Sequence, residues 1–561
     1  MKIKRLFLFS LIILGSIFLL SGCQKEDKIT IKSEKTKFYN LASDYNMTAT
    51  YINTYFIDGS DTRYVNVSNF MSSLKGFYRT EYLRKKVSSL SSSLNIFFYG
   101  QDQNNNISEY SAKFDWNSDK ITVNNKMFFN IINQSDTTNY IRLIEEIEPE
   151  EIESDQIVFD LPKFGFNIYY KNGKVLVPFS IMNLIFCSQN YYNIYYNGDA
   201  YYGTFYSIQN LSSNDQLALR HNDLNESNQS DELREETYNF IRFALNYYYG
   251  LKEYKEITDI DKELESYKDG ILSKSASENN STYYDYFITH LDELHTRVGD
   301  YSFYDDYTKA AKTDAWDKTK TSPARLEYLN VNEMLTADAK NFYSNTDKGD
   351  TKIGTKCAMI LVPSFTTGTD QQISGTDAYL YDTYEFIKKS LDSISSQNIK
   401  NIIIDLSLNG GGNVGALIRT LGFISNESIP YYTKNYLDGS LSSVKFNIDI
   451  NNDGNFKDND AYDQYNWYVL TSFNTFSAAN SFAAIAKELG AKTIGQKTGG
   501  GMCSVMPIVL PDQTTIEMSS NNAQLSKVGD KLELIEAGVN PDITINYSDF
   551  YNLNTYENLL N

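Results

Sequence analysis

The chain has 561 residues, with 71 acidic against 51 basic side chains and a formal net charge of −20. That balance lacks the basic footprint a nucleic-acid surface needs, so nucleic acid is excluded as a partner. The length exceeds one ordinary core and sets an expectation of two or three domains, and 41% hydrophobic residues are enough to fold them.

Residues 1–5 are basic, residues 6–20 are apolar, and Leu20-Ser21-Gly22-Cys23 follows. An apolar run of that length falls short of a comfortable membrane span. The pattern resembles a bacterial lipoprotein signal peptide over 1–22. It implies a lipid on Cys23 and a mature chain held at the cell membrane, facing the extracytoplasmic side. A plain signal peptide or a short anchor is the other reading. Multiple acylation supplies the two or more chains that stable anchoring needs. Cys187, Cys357 and Cys503 then remain, an odd number with no Cys-x-x-Cys pair, so neither a disulfide framework nor a zinc site is expected. Cys503 reads as a small buried hydrophobe.

Residues 23–44 are polar and read as a tether. Residues 45–212 are rich in Asn, Tyr, Ile and Ser, with Asn-Gly turns at 172–173 and 197–198, and read as a β-rich or α+β domain of unknown role. Two stretches within it, 61–77 and 172–187, share a turn, a short strand and an amphipathic helix, the pattern of an internal repeat. Residues 213–330 read as a helical subdomain. Tyr238, Ile241, Leu245 and Tyr248 lie on one side of a helix over 231–250, and further helices are expected over 259–272 and 283–294.

From residue 331 to 561 strands and helices alternate, which implies an α/β core with a mainly parallel sheet. Strands are expected over 357–362, 399–406 and 467–470, and helices over 377–396 and 414–423. A glycine loop, 409–413, follows the second strand. It is not followed by Lys-Ser/Thr, so it is no phosphate loop. Asp449, Asn451, Asp453, Asn455 and Asp460 have the spacing of a calcium loop with Gly454 at its turn. A structural Ca²⁺ is one reading of that spacing and an acidic turn is the other. Ser477 stands where the strand at 467–470 gives way to a helix over 478–489. Helix-start N–H groups lack helical partners and can face a developing oxyanion. The same position also suits an ordinary helix cap.

The stretch 467–505 resembles the nucleophile region of the C-terminal-processing (tail-specific) serine peptidases, closer to their tricorn-like Ser/His branch than to their Ser-Lys branch. LDELHT at 291–296, IIIDLSLNGGGN at 402–413 and IEAGVNPDI at 535–543 agree with it in order. The resemblance spans about the last half of the chain and implies a Clp protease/crotonase-like spiral β-β-α core, with a helical subdomain over the cleft. It implies Ser477 as nucleophile and His295 as base. Oxyanion donors are implied at Gly411, with Gly410 close behind, and at Ala478. It implies Glu536 as the group that orients His295. The family's relay hydroxyl precedes the histidine, whereas here Leu294 does and Thr296 follows, so Thr296 and Asp292 stay open beside Glu536. The Ser-Lys spacing leads to Met502 (502 − 477 = 25), and neither Lys492 nor Lys497 fits it. No PDZ domain is expected between His295 and residue 357.

These readings converge on an extracytoplasmic, lipid-anchored serine endopeptidase acting on peptides or unfolded protein tails, with no cofactor required for catalysis. A non-catalytic surface-binding lipoprotein on the same fold is the alternative.

Overall fold

The computed structural model describes residues 29–101, 106–133, 142–151, 155–308 and 317–560. The expected signal peptide, Cys23 and the first part of the expected tether lie outside the described residues. Among those residues no helix is long and apolar enough to cross a membrane.

The C-terminal half is built on a six-stranded sheet in the order Asp350–Ile353, Cys357–Leu361, Asn401–Asp405, Asn466–Thr471, Lys492–Gly495 and Ile543–Thr544. All neighbours are parallel except the first pair. Cys357–Leu361 and Asn401–Asp405 are buried throughout, as strands covered on both faces must be. Successive side chains then alternate between two apolar layers. Cys357, Met359, Leu361, Ile403 and Leu470 meet the helix Pro323–Phe342 and the C-terminal residues Phe550, Tyr556 and Leu560. Ala358, Ile360, Ile402, Ile404 and Val469 meet the helices Thr383–Ile394, Val414–Leu421 and Ala478–Glu488 on the other side.

A second, antiparallel sheet is organised around Thr515–Val528, which pairs with Cys503–Val509, Ile429–Asn435, Lys531–Leu534 and the short strand Arg297–Asp300. The helical span 213–330 therefore contains a strand that belongs to the core sheet. The helix expected over 259–272 is broken into Ile260–Glu263 and Lys268–Ile271. The helix expected over 283–294 is two segments, Ala276–Tyr284 and a wider-wound turn Asp285–His290.

The repeat in the N-terminal part is realised as two hairpin-plus-helix units. Thr50–Ile57 and Tyr64–Asn66 lead into the helix Val67–Ser73; Tyr169–Lys171 and Lys174–Pro178 lead into Phe179–Phe186. The units meet through antiparallel pairing of Tyr64–Asn66 with Lys174–Pro178, inside one seven-stranded sheet.

The expected domain boundaries do not separate cores. Residues 23–44 are not tether throughout, because Ile31–Asn40 is a strand of the seven-stranded sheet. Residues 45–212 do not stand alone: Ile144–Glu151 pairs with Leu441–Ile448, and the Tyr195 hydroxyl bonds that of Thr515 at 2.9 Å. The limit at 330/331 falls inside the helix Pro323–Phe342. One apolar cluster runs from Phe38 through Ile241 and Tyr286 to Met518, so the N-terminal sheet, the helices and the second sheet share a core.

Candidate active site

Strands Asn401–Asp405 and Asn466–Thr471 run parallel and in register, Asp405 opposite Leu470. Their following loops therefore leave the same end of the sheet side by side, the crevice where open α/β sheets place their ligands. One loop holds the glycines Gly410, Gly411 and Gly412; the other ends at Ser477. The loops are tied together by the Thr475 hydroxyl on the Leu406 carbonyl (2.8 Å), the Ser472 hydroxyl on that of Ser407 (2.6 Å) and the Phe476 N–H on that of Asn409 (3.1 Å).

Ser477 has φ 56° and ψ −123°, and its side chain makes no capping hydrogen bond to the helix Ala478–Glu488. A helix cap sits in the extended region and accepts a backbone N–H, so the capping reading does not hold here. The left-handed conformation costs about 1–3 kcal/mol in a non-glycine residue and persists only where the surroundings enforce it. They do so from both sides. The Ser477 N–H donates to the Gly500 carbonyl at 2.8 Å, and Gly501 packs so closely on Phe476 that a Cβ there lies 2.4 Å from its ring. The half-buried hydroxyl is left without a protein partner among the described residues.

Among the described residues the Ala478 N–H has no partner at the helix start, as is usual for the first helical donors. Gly411 faces it: a Cβ on Gly411 lies 2.9 Å from Ser477 Cβ and 3.1 Å from Ala478 N, and its φ of 113° also calls for glycine. The Gly411 N–H, however, donates to Asn409 Oδ1 at 2.7 Å. The expectation that it serves the oxyanion is corrected: within this loop the Gly410 and Gly412 N–H groups are the ones without a partner among the described residues. Gly411 acts by leaving the space empty. Gly411→Ala is expected to lower kcat about 100-fold, the cost of spoiling one oxyanion contact, with KM little changed, measured by steady-state hydrolysis of a denatured protein.

His295 arrives through the second sheet. Arg297–Asp300 pairs with Thr515–Val528, the Thr296 hydroxyl accepts the Ser519 N–H at 3.0 Å, and Arg297 grips Glu517 with two bonds of 2.9 Å. Thr515–Val528 in turn pairs with Cys503–Val509, whose preceding glycine run backs Ser477. The imidazole lies against Phe476, the residue before the serine, with ring centroids 4.5 Å apart. Among the described residues no hydrogen bond joins it to Ser477, so the bonded contact expected between them is not made in this structure, and Phe476 is what links the imidazole to the serine's turn. Burial pushes the His295 pKa down to about 4; nearby Glu293 opposes that shift and Arg325 adds to it. The imidazole is therefore neutral at neutral pH, the state able to accept a proton.

The three candidates for orienting His295 are placed elsewhere. Glu536 accepts the Met502 N–H at 2.7 Å and so holds the glycine run rather than the imidazole. Burial raises its pKa to about 7 against that bond, and the charge of Glu293 adds to the rise. Thr296 is bound to Ser519, and Asp292 caps the helix Pro323–Phe342 through the Ala324 N–H at 2.9 Å. The residue that does reach the histidine turn is Glu293, which no sequence signal singled out. Its carboxylate accepts the backbone N–H groups of His295 (2.6 Å) and Thr296 (2.9 Å). Lys492 and Lys497 are exposed, and Cys503 is a buried thiol whose pKa burial raises well above the usual range. His290 bonds Glu263 at 2.7 Å and His221 stacks on Tyr307, so neither is at the site.

The calcium spacing does not produce a calcium cage. Both Asp449 oxygens accept backbone N–H groups, from Asp453 (3.1 Å) and Gly454 (2.8 Å). Asn451, Asp453 and Asn455 accept those of Asp453, Asn455 and Lys457, and Asp460 accepts those of Ile450 and Asn451. Among the described residues no three acidic, histidine or cysteine side chains gather around one point. In this structure the loop closes on its own backbone.

Residues 356–545 match the family model described as Peptidase family S41. No curated protein matches the chain. Among solved structures it is similar to a putative peptidase from Parabacteroides merdae ATCC 43184 at 16% identity, covering 56% of this chain and 90% of that one, with a TM-score of 0.41. It is similar to mature CPAF complexed with lactacystin at 13% identity, covering 58% and 97%, with a TM-score of 0.41. A lipoprotein from Streptococcus agalactiae matches at 14% identity over 54% and 88%, with a TM-score of 0.33.

Proposed function

We propose, from the match of residues 356–545 to peptidase family S41, that the chain is a serine-type endopeptidase of peptides or unfolded protein tails, with Ser477 as nucleophile and His295 as general base. The proposal extends to its place: a lipid on Cys23 holds the enzyme at the outer face of a bacterial cell membrane.

Ser477 Oγ attacks the scissile carbonyl carbon while its proton passes to the neutral imidazole of His295. The carbonyl oxygen becomes an oxyanion facing the Ala478 N–H and a free N–H of the glycine loop. Collapse of this intermediate breaks the C–N bond, and His295 returns the proton to the departing amine. Water then attacks the acyl-enzyme, giving its proton to His295, and the released acid leaves Ser477 Oγ protonated again. Closure of the Ser477–His295 contact accompanies substrate binding, since catalytic hydrogen bonds are often long in the free enzyme.

The observation that carries this reading is the enforced left-handed conformation of Ser477, which leaves its hydroxyl uncapped beside an unpaired helix-start N–H. A fluorophosphonate probe tests it. Labelling of the native chain that is lost in Ser477→Ala supports the nucleophile; no labelling of the native chain supports the surface-binding alternative.

A further inference from the structure

The turn His295–Thr296 is gripped from both sides by buried, oppositely charged side chains. On one side Glu293 accepts both N–H groups, at 2.6 and 2.9 Å. On the other, the fully buried Arg325 donates to the Thr296 carbonyl through Nη2 and to the Ile288 carbonyl through Nη1 at 3.3 Å. Arg325 stands in the first turn of Pro323–Phe342, a helix whose start is anchored by Asp292 on the Ala324 N–H and by the Ser322 cap. Tyr328, one turn on, brings its hydroxyl against the glycine loop, 2.8 Å from where a Cβ of Gly410 lies. One helix start thus touches both the turn that carries the base and the loop beside the nucleophile.

We propose that Glu293 and Arg325 are positioning residues that clamp the His295–Thr296 turn and so set the imidazole against Phe476 and Ser477. This rests on the reading of His295 as the base.

The clamp is chemically suited to the task. A buried charge left without its partner is costly, so each member resists displacement, and bonds to charged groups are stronger than neutral ones. A ring set by its backbone needs no carboxylate on its own nitrogen, which accounts for Glu536, Thr296 and Asp292 all being engaged elsewhere. The charges acting on His295 are those of Glu293 and Arg325; Glu293 in turn acts on Glu536 and Cys503, and Arg325 feels Asp292 and Arg297.

The test is steady-state kinetics and the pH dependence of kcat/KM on a denatured protein for Glu293→Gln, Arg325→Met, Arg325→Lys and His295→Ala, with circular dichroism of each. Glu293→Gln and Arg325→Met are expected to lose about 100-fold in kcat, the effect of a roughly 1 Å misplacement, at near-native KM. Their acid limbs move in opposite directions: up for Arg325→Met, which removes a positive charge beside the imidazole, and down for Glu293→Gln, which removes a negative one. Arg325→Lys, which keeps the charge, retains the native limb and regains part of the rate. Should Arg325→Met not fold, Glu293→Gln and Arg325→Lys carry the same comparison. Native kcat with unmoved limbs in folded Glu293→Gln, while His295→Ala is inactive, overturns the clamp alone. A fully active His295→Ala overturns instead the reading on which it rests.

Discussion

Replacing Ser477 by Ala is expected to abolish hydrolysis of a denatured protein while leaving the fold and its stability close to native. Among the described residues the hydroxyl makes no hydrogen bond and it caps nothing, so its removal forfeits no native hydrogen bond there. The main chain keeps its bonds to the Gly500 carbonyl and from the Ser481 N–H, and Ala carries the same Cβ into the left-handed conformation. What is lost is the only group placed to attack, and rate losses on the order of 10⁶-fold follow when a nucleophile of this kind is removed. Thermal unfolding by circular dichroism, run beside the activity assay, separates the two effects. Residual turnover within a hundredfold of native places the nucleophile elsewhere.

The second large effect is expected at His295. His295→Ala loses on the order of 10⁴–10⁶-fold in kcat, because members of one catalytic unit fail together. Lys497→Ala retains most activity, since that side chain is exposed and its spacing from the serine does not suit a base. The pH profile carries more information than either value. An ordinary imidazole gives an acid limb near its reference value of about 6.5. Burial lowers that of His295 to about 4, so activity persists well below pH 6 and falls only toward pH 4. The same shift acts on stability. Between the two values the unfolded chain binds the proton and the folded one does not, so the stabilising contribution is full above pH 6.5 and is lost as pH falls through about 4. Glu536 has the opposite sign: its raised pKa stabilises the fold below about pH 4.5, and that contribution is lost as pH rises through about 7. Measurement of kcat/KM and of the urea midpoint from pH 4 to 8 checks both. An acid limb at pH 6 or above means that His295 is not desolvated in the working enzyme.

The alternation that builds the core sheet, the glycine loop after Asn401–Asp405 and the strand-turn-helix at Ser477 were all legible in the chain itself. Each is a local pattern: a continuous apolar run of β-branched residues, a cluster of glycines, and a helix rich in alanine with Phe482 on its buried face. Parallel, in-register neighbours then bring the two loops together without further instruction. What only the tertiary structure decided depends on contacts across long separations or on solvent exclusion. His295 reaches Phe476 because Arg297–Asp300 pairs with a strand more than two hundred positions later, and nothing in LDELHT encodes that partner. Glu293 and Arg325 meet at one turn because a helix start is packed there, and the fall of the His295 pKa follows from the water that packing excludes. Even the motifs had their roles settled by hydrogen-bond geometry. Asn409 takes the Gly411 N–H, Met502 takes the Glu536 carboxylate, and the acids spaced for calcium close on their own backbone. Residue type and spacing state which groups a chain can offer; which partner each one meets is a property of the packed fold.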